Sequence, residues 1–129
     1  MKQLSFVLLF MLSTLTILGQ STDLYFAMDP VLTPSRNAII FSYETDLWRV
    51  PSEGGEAVRL TAMDGIETRP SISPDGNWLA FSSSQSGNMD IYVMPLNGGE
   101  IRQLTFHDAN DDVDGWSWDS ETIYFTSGR

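Results

Sequence analysis

Cysteine is absent from the chain, and lysine and histidine occur once each, as Lys2 and His107. Disulfides, thiol chemistry and a lipid-modified cysteine are therefore excluded, and an exported domain of this composition must hold together by packing alone. Positive charge is also scarce. Beyond Lys2 there are only six arginines, against seventeen Asp and Glu. Nucleic acid and anionic lipid both need clustered Lys or Arg to neutralise phosphate, so neither is an expected partner. Cationic or polar peptides fit the charge, and the acidity also serves solubility. A sustained 3.6-residue apolar period is missing beyond the first twenty residues, which leaves helix unsupported there.

The one long apolar run comes first. Met1-Lys2-Gln3 precedes "LSFVLLFMLSTLTIL", and Gly19-Gln20-Ser21 follows it. A charged start, an apolar middle and a small-residue exit form the pattern of a secretory signal peptide. Residues 1–21 are read as that signal, with cleavage before Thr22 or between Gly19 and Gln20. The run is at the short end for spanning a bilayer, and its Ser and Thr dilute it. The expected location is exported, in a bacterial periplasm.

The remainder is a repeat. "LTPSRNAIIFS" (32–42), "ISPDGNWLAFS" (72–82) and "WSWDSETIYFT" (116–126) each place a turn before four apolar residues that end in Phe41, Phe81 or Phe125. "DLWRVPSEGGEAVRLT" (46–61) recurs as "DIYVMPLNGGEIRQLT" (90–105), with Asp, Pro, Gly-Gly-Glu and Leu-Thr at a constant offset of 44. The offset is 40 in the preceding half, because a loop is longer by four residues in the second copy. Insertions in hairpin loops cost little.

Each unit reads as four strands, in the complete copy near 68–72, 78–82, 90–94 and 101–105. Gly and Asn in the connections supply the positive φ that tight turns need. Pro51 and Pro95 fall at strand ends, where a missing N–H does least harm. Four short antiparallel strands in 40 to 45 residues is the spacing of a β-propeller blade. Stacked blades bury their strands on both faces, which accounts for the continuous run Trp78-Leu79-Ala80-Phe81. The fold class is all-β, with about two and a half blades of an incomplete propeller. Blade 1 covers 22–61, blade 2 covers 62–106, and 107–129 is the first half of a truncated third blade. A propeller needs about four to eight blades to close. The chain is thus expected to be the front of a longer protein, since open blade faces and unpaired edges promote aggregation.

The second unit, from Ser73-Pro74-Asp75-Gly76 through Asp90-Ile91-Tyr92-Val93-Met94-Pro95 and Gly98-Gly99-Glu100 to Leu104-Thr105, His107 and an Asp-rich turn, resembles the N-terminal repeats of tricorn-type serine peptidases. The resemblance covers most of 28–129. It is weaker where "TPSRN" and "SWDSE" replace the Ser-Pro-Asp-Gly turn. It implies a multi-domain parent with propellers first, then a PDZ-like module and a catalytic region carrying the serine nucleophile. The same repeat type occurs in the propeller of TolB and in dipeptidyl-peptidase-like hydrolases.

Within the chain itself, no residue is assigned a catalytic, cofactor-binding or metal-binding role, and no cofactor is expected. A serine hydrolase needs a nucleophile, a base and a group that orients the base. His107 is the sole histidine and is read as orienting an interblade loop. "GWSWD" (115–119) lacks the second glycine of a nucleophile elbow and aligns with a strand-to-strand turn. Asp108, Asn110, Asp112 and Asp114 alternate like the first ligands of a calcium loop. However, Val113 stands where that loop needs glycine and Asp119 where it needs glutamate, so 108–114 is read as a polar interblade loop. Gly54-Gly55 and Gly98-Gly99 join strands and lack the helix of a phosphate site. Trp48 and Trp78 are assigned to blade packing, and Trp116 and Trp118 to one face of a shared strand.

The resemblance implies a non-catalytic segment of an exported serine protease that filters or guides peptides toward a downstream catalytic region. The alternative is a TolB-like periplasmic module that binds other envelope proteins. Expected partners are peptides or envelope proteins, the remaining blades and downstream domains of the parent chain, and, as a further option, copies of itself as a homo-oligomer.

Overall fold

A computed structural model describes residues 26–129; the signal segment expected over 1–21 lies outside the described residues. Ten strands are the only regular elements among those residues. They are β1 (Met28–Leu32), β2 (Ala38–Tyr43), β3 (Asp46–Pro51), β4 (Val58–Arg59), β5 (Glu67–Ile72), β6 (Trp78–Ser83), β7 (Asp90–Pro95), β8 (Arg102–Gln103), β9 (Asp111–Trp116) and β10 (Ile123–Ser127). They form two four-stranded antiparallel sheets in the orders β1-β2-β3-β4 and β5-β6-β7-β8, and a two-stranded sheet of β9 and β10. The leading strands β1, β5 and β9 lie beside one another, so the sheets fan outward from a shared inner rim. This is the two-and-a-half-blade, incomplete propeller.

The repeated turn explains why each blade starts alike. Ser73 Oγ accepts the Trp78 N–H at 2.9 Å and donates to Asp75, whose Oδ1 accepts the Asn77 N–H at 3.1 Å. Gly76 sits at φ 73° and donates its N–H to the Ser73 carbonyl. Thr33 and Ser117 build the same turn, accepting the Ala38 and Thr122 N–H groups. Arg36 (φ 57°) and Ser120 (φ 64°) occupy the left-handed position of Gly76. The local hydrogen bonds thus impose on non-glycine residues a conformation that ordinarily costs about 1–2 kcal/mol. Asp75 and Asp119 are held below the ordinary carboxylate range, chiefly by the Ser73 and Ser117 hydroxyls respectively.

Burial follows the two-sided expectation. From Leu79 to Ser83 every residue of β6 is buried, and Leu79 and Phe81 are wholly so. Leu79, Phe81, Tyr92, Met94 and Leu96 of blade 2 pack on Ile40 and Leu47 of blade 1. On the opposite face, Ala80 and Ile91 meet Val113 of the half-blade, flanked by Trp116 and Ile123. Each wholly buried large apolar side chain contributes about 1.5–3 kcal/mol.

Three local expectations are corrected. The fourth strand is only Arg102–Gln103, because Thr105 leaves the ladder to bond across the junction between blades. The Asp-rich stretch is a loop only as far as Asn110, since β9 begins at Asp111 and carries the stretch along the inner rim. Trp118 does not share a strand with Trp116. β9 ends at Trp116, and Trp118 takes the turn position of Pro74, 93% exposed.

Candidate functional site

Two constellations of polar side chains stand out, one between blades and one along the inner rim. The first is repeated at the 44-residue offset. At the junction of blades 1 and 2, Thr61 Oγ1 accepts the Leu47 N–H at 2.8 Å and donates to Glu67 Oε2 at 2.8 Å. Ser83 Oγ donates to Glu67 Oε1 at 3.3 Å, and the Glu67 N–H reaches the Thr45 carbonyl at 2.8 Å. Asp46 is gripped by the Arg59 guanidinium at 3.0 and 3.1 Å. At the next junction, Thr105 Oγ1 accepts the Ile91 N–H and donates to Asp90, each at 3.0 Å. Gln103 stands in place of Arg59 and donates to Asp90 Oδ2 at 3.0 Å, while Asp111 takes the place of Glu67 and receives Arg129 at 2.7 Å.

The two junctions differ electrostatically. Glu67 is 1% exposed and receives hydroxyls, while the nearest guanidinium is spent on Asp46. Burial, reinforced by the neighbouring Asp46 carboxylate and opposed by the Thr61 hydroxyl, pushes its carboxyl up to about 7. Asp111 is equally buried, yet the Ser127 hydroxyl and the Arg129 guanidinium hold it below the usual range against desolvation. These groups fasten one blade to the next.

The second constellation comes from a recurrent β-bulge. Asp29-Pro30 and Arg69-Pro70 each place two residues opposite one, Phe41 and Phe81 respectively. Asp29 and Arg69 both sit at φ 51°. Proline follows each of them, so no N–H is lost from the ladder at the irregularity. The Arg69 N–H donates to Asp29 Oδ2 at 3.1 Å, and its Nε lies 3.7 Å from Asp112 Oδ1. Asp114 accepts the Thr126 hydroxyl at 2.8 Å. One arginine thus stands beside two carboxylates, Asp29 and Asp112, with Asp114 farther along β9, leaving an acidic rim with backbone strain of about 1–3 kcal/mol at each left-handed residue. The sequence carried a signal for it, since Asp29-Pro30 and Arg69-Pro70 recur at the same offset of 40 as the turns.

The residues singled out from the sequence are not gathered into one site. His107 is exposed, and its Nδ1 accepts the Ala109 N–H at 3.0 Å, bracing its own loop. Asn110 is engaged by the Met89 N–H at 3.1 Å, Asp112 by Arg69 and Asp114 by Thr126, so the calcium-like alternation is spread along a strand. Among the described residues no group of three or more His, Cys, Asp or Glu could hold a metal ion. Trp116 donates its indole N–H to the Ser71 carbonyl at 2.9 Å, tying β9 to β5, and Trp78 lies under the Arg102 guanidinium at 5.8 Å. Trp48 packs edge-on to Tyr43. Gly98 and Gly99 turn the outer hairpin, and a side chain at Gly99 would come within 3.0 Å of the Pro95 ring.

Comparison with known proteins agrees with this architecture. Residues 28–129 match the family described as the tricorn protease N-terminal beta propeller domain. "Tricorn protease homolog 1" of Streptomyces coelicolor is 33% identical over 91 residues, which cover 70% of this chain and 8% of that protein. The crystal structure of TolB from Acinetobacter baumannii superposes with a TM-score of 0.67 at 24% identity, over 80% of this chain and 27% of that one. The crystal structure of the tricorn protease does so with a TM-score of 0.65 at 16% identity, over 78% and 11%. The shared fold is a propeller of antiparallel blades, and this chain spans only a small part of each of these proteins. With its match running from the first strand to the last residue, the chain belongs to the family of tricorn protease N-terminal β-propeller domains.

Proposed function

We propose that this chain is the exported N-terminal propeller portion of a tricorn-like serine peptidase, itself non-catalytic, which admits and orients peptides for a catalytic region elsewhere in the parent protein. The family match over 28–129 carries this reading. The inner rim supports it: Asp29, Arg69, Asp112 and Asp114 lie on β1, β5 and β9, which sit side by side. Charge there would select among peptides before they reach the chemistry. Exposed strand edges could also pair with extended peptide backbone. Residues 1–21 would direct the protein to the periplasm. Blade 1 would run to residue 61 and blade 2 to residue 106. In this reading the cations at the junctions, Arg59 and Arg129, are structural.

The experiment is the intact mass of the native protein in the exported fraction of its source cells, combined with a peptidase assay. A mass several times 14.4 kDa, with activity blocked by serine-directed inhibitors, is the expected result. A mass that accommodates one closed propeller and no more would overturn the peptidase reading. It would favour the second reading, a TolB-like module that binds envelope proteins, for which the fold likeness to TolB speaks.

A further inference from the structure

The outer half of blade 1 carries a pocket of about 190 Å³ lined by Asn37, Ala38, Arg49, Pro51, Glu56 and Val58. Strand register fixes the way it faces. Arg49 is opposite Ile40 on β2 and opposite Val58 on β4. Ala38 lies two residues from Ile40 along β2, so Ala38, Arg49 and Val58 all share the face of Ile40. That face packs against blade 2. Blade 2 already stands beside the pocket, since the Arg49 guanidinium donates across the junction to Asn97 Oδ1 at 3.5 Å. The pocket therefore belongs to the junction of two four-stranded blades, and it opens outward at Val58, which is 59% exposed.

The repeat shows which chemistry suits it. At the offset of 40, the position of Ala38 is held in blade 2 by the indole of Trp78. At the offset of 44, the cross-strand pair Arg49–Val58 becomes Val93–Arg102, with arginine and valine exchanged between the same two strands. Each blade thus keeps one guanidinium on this patch. In blade 2 the Arg102 guanidinium lies 5.8 Å from the centre of the Trp78 ring. In blade 1 the guanidinium and the apolar walls remain, but the side chain beneath them is the methyl group of Ala38. Arg49 has no ion-pair partner among the described residues. The pocket is sized for a single side chain, since drug-sized ligands take about 300–1,000 Å³. The negative face of an aromatic ring complements a guanidinium, and an aliphatic side chain of the same volume does not.

We propose that this pocket takes one aromatic side chain of an extended peptide, stacked on the Arg49 guanidinium over Ala38, with the peptide backbone running along the free edge of β4. β4 pairs only with β3, and its unpaired backbone groups can accept a further strand. The site is separate from the inner rim, because β4 and β1 are opposite edges of one sheet. It follows from the register and the repeat, and it does not depend on the peptidase reading.

The probes are two blocked five-residue peptides, one with phenylalanine between threonines and the other with cyclohexylalanine in its place. Each is titrated into the full chain and followed by amide NMR shifts. Shifts should cluster at Ala38, Arg49 and Val58. The phenylalanine peptide should bind about two- to fivefold more tightly than its cyclohexyl counterpart, the factor supplied by a partly exposed cation–π contact. Arg49→Leu should remove that preference while both peptides still bind, a change of selectivity that lost packing alone does not produce. Ala38→Trp should set the chain's own ring beside Arg49, as in blade 2, and abolish binding of both peptides. Val58→Trp closes the same pocket from its exposed side and should do the same, which keeps the test open if Ala38→Trp disturbs the fold. Absence of shifts at this patch, equal affinity for the two peptides, or a preference that survives Arg49→Leu would each overturn the proposal. Shifts centred on Asp29, Arg69 and Asp112 would place the peptide on the inner rim instead, and would also overturn it. Peptidase activity of the parent enters none of these readouts; the native mass and inhibitor assay decide that question.

Discussion

Replacing Glu67 with glutamine isolates a junction carboxyl that is buried without a cation and raised by that burial. The carboxyl is raised from its ordinary value near 4.5 to about 7 in the fold. Protonation therefore favours the folded state, and the stability it contributes is fully present below pH 4.5. It is lost as pH rises toward 7 and makes no further change above that. A difference of about 2.5 pH units corresponds to roughly 3 kcal/mol, an upper figure because the Glu67 environment can relax when it ionises. The glutamine side chain keeps the shape and the acceptor for Thr61, offers an N–H to the neighbouring Asp46 carboxylate, and does not titrate. Urea denaturation of both proteins across pH 4 to 8.5 should therefore show their stability difference shifting in favour of Glu67→Gln by about 2–3 kcal/mol between the ends of the range. Asp75, Asp111 and Asp119 act in the opposite sense, contributing stability that is lost as pH falls, but they are common to both proteins and cancel in the difference. Parallel pH profiles would refute the assignment of a neutral, buried Glu67 to the blade junction.

Two further outcomes follow from the repeat. Phe81→Ala should destabilise by about 3–5 kcal/mol in chemical denaturation, and Phe125→Ala, at the equivalent but 39% exposed position, by less than half of that; equal losses would contradict the difference in burial. At the left-handed turn position, Ser120→Gly should raise the melting temperature by relieving backbone strain, whereas Gly76→Ala should lower it by the equivalent of about 1 kcal/mol. No response at Gly76 would mean that the turn can move to another conformation.

Much of the fold was legible because a propeller repeats its local chemistry. The Ser-Pro-Asp-Gly turn, the four-residue apolar run and the Asp…Leu-Thr pair are each set by contacts close in sequence or by a strand's own period, so their recurrence gave the blades directly. Asp46, Thr61, Asp90 and Thr105 were visible as coincident residues, but their partners were not. Glu67 and Asp111 share the offset of 44 but differ in type and follow the repeat unit they fasten, so spacing alone did not pair them with it. The bulge left a trace in the recurrent Asp29-Pro30 and Arg69-Pro70, but neither Asp nor Arg announces the left-handed backbone that makes it. Trp118 was misplaced because alternation with Trp116 looks the same whether a strand continues or a turn begins.

The sequence by itself determined the strand count, the turns, the blade period and the acidic, cysteine-free character. These depend on residue type and on spacing along the chain. Only the tertiary structure decided which carboxyls are buried without a cation, which strands form the inner rim, and which apolar face remains uncovered. Those properties arise where blades meet, between residues that no local period relates, and burial there sets both the charge state of Glu67 and the exposure of Phe125.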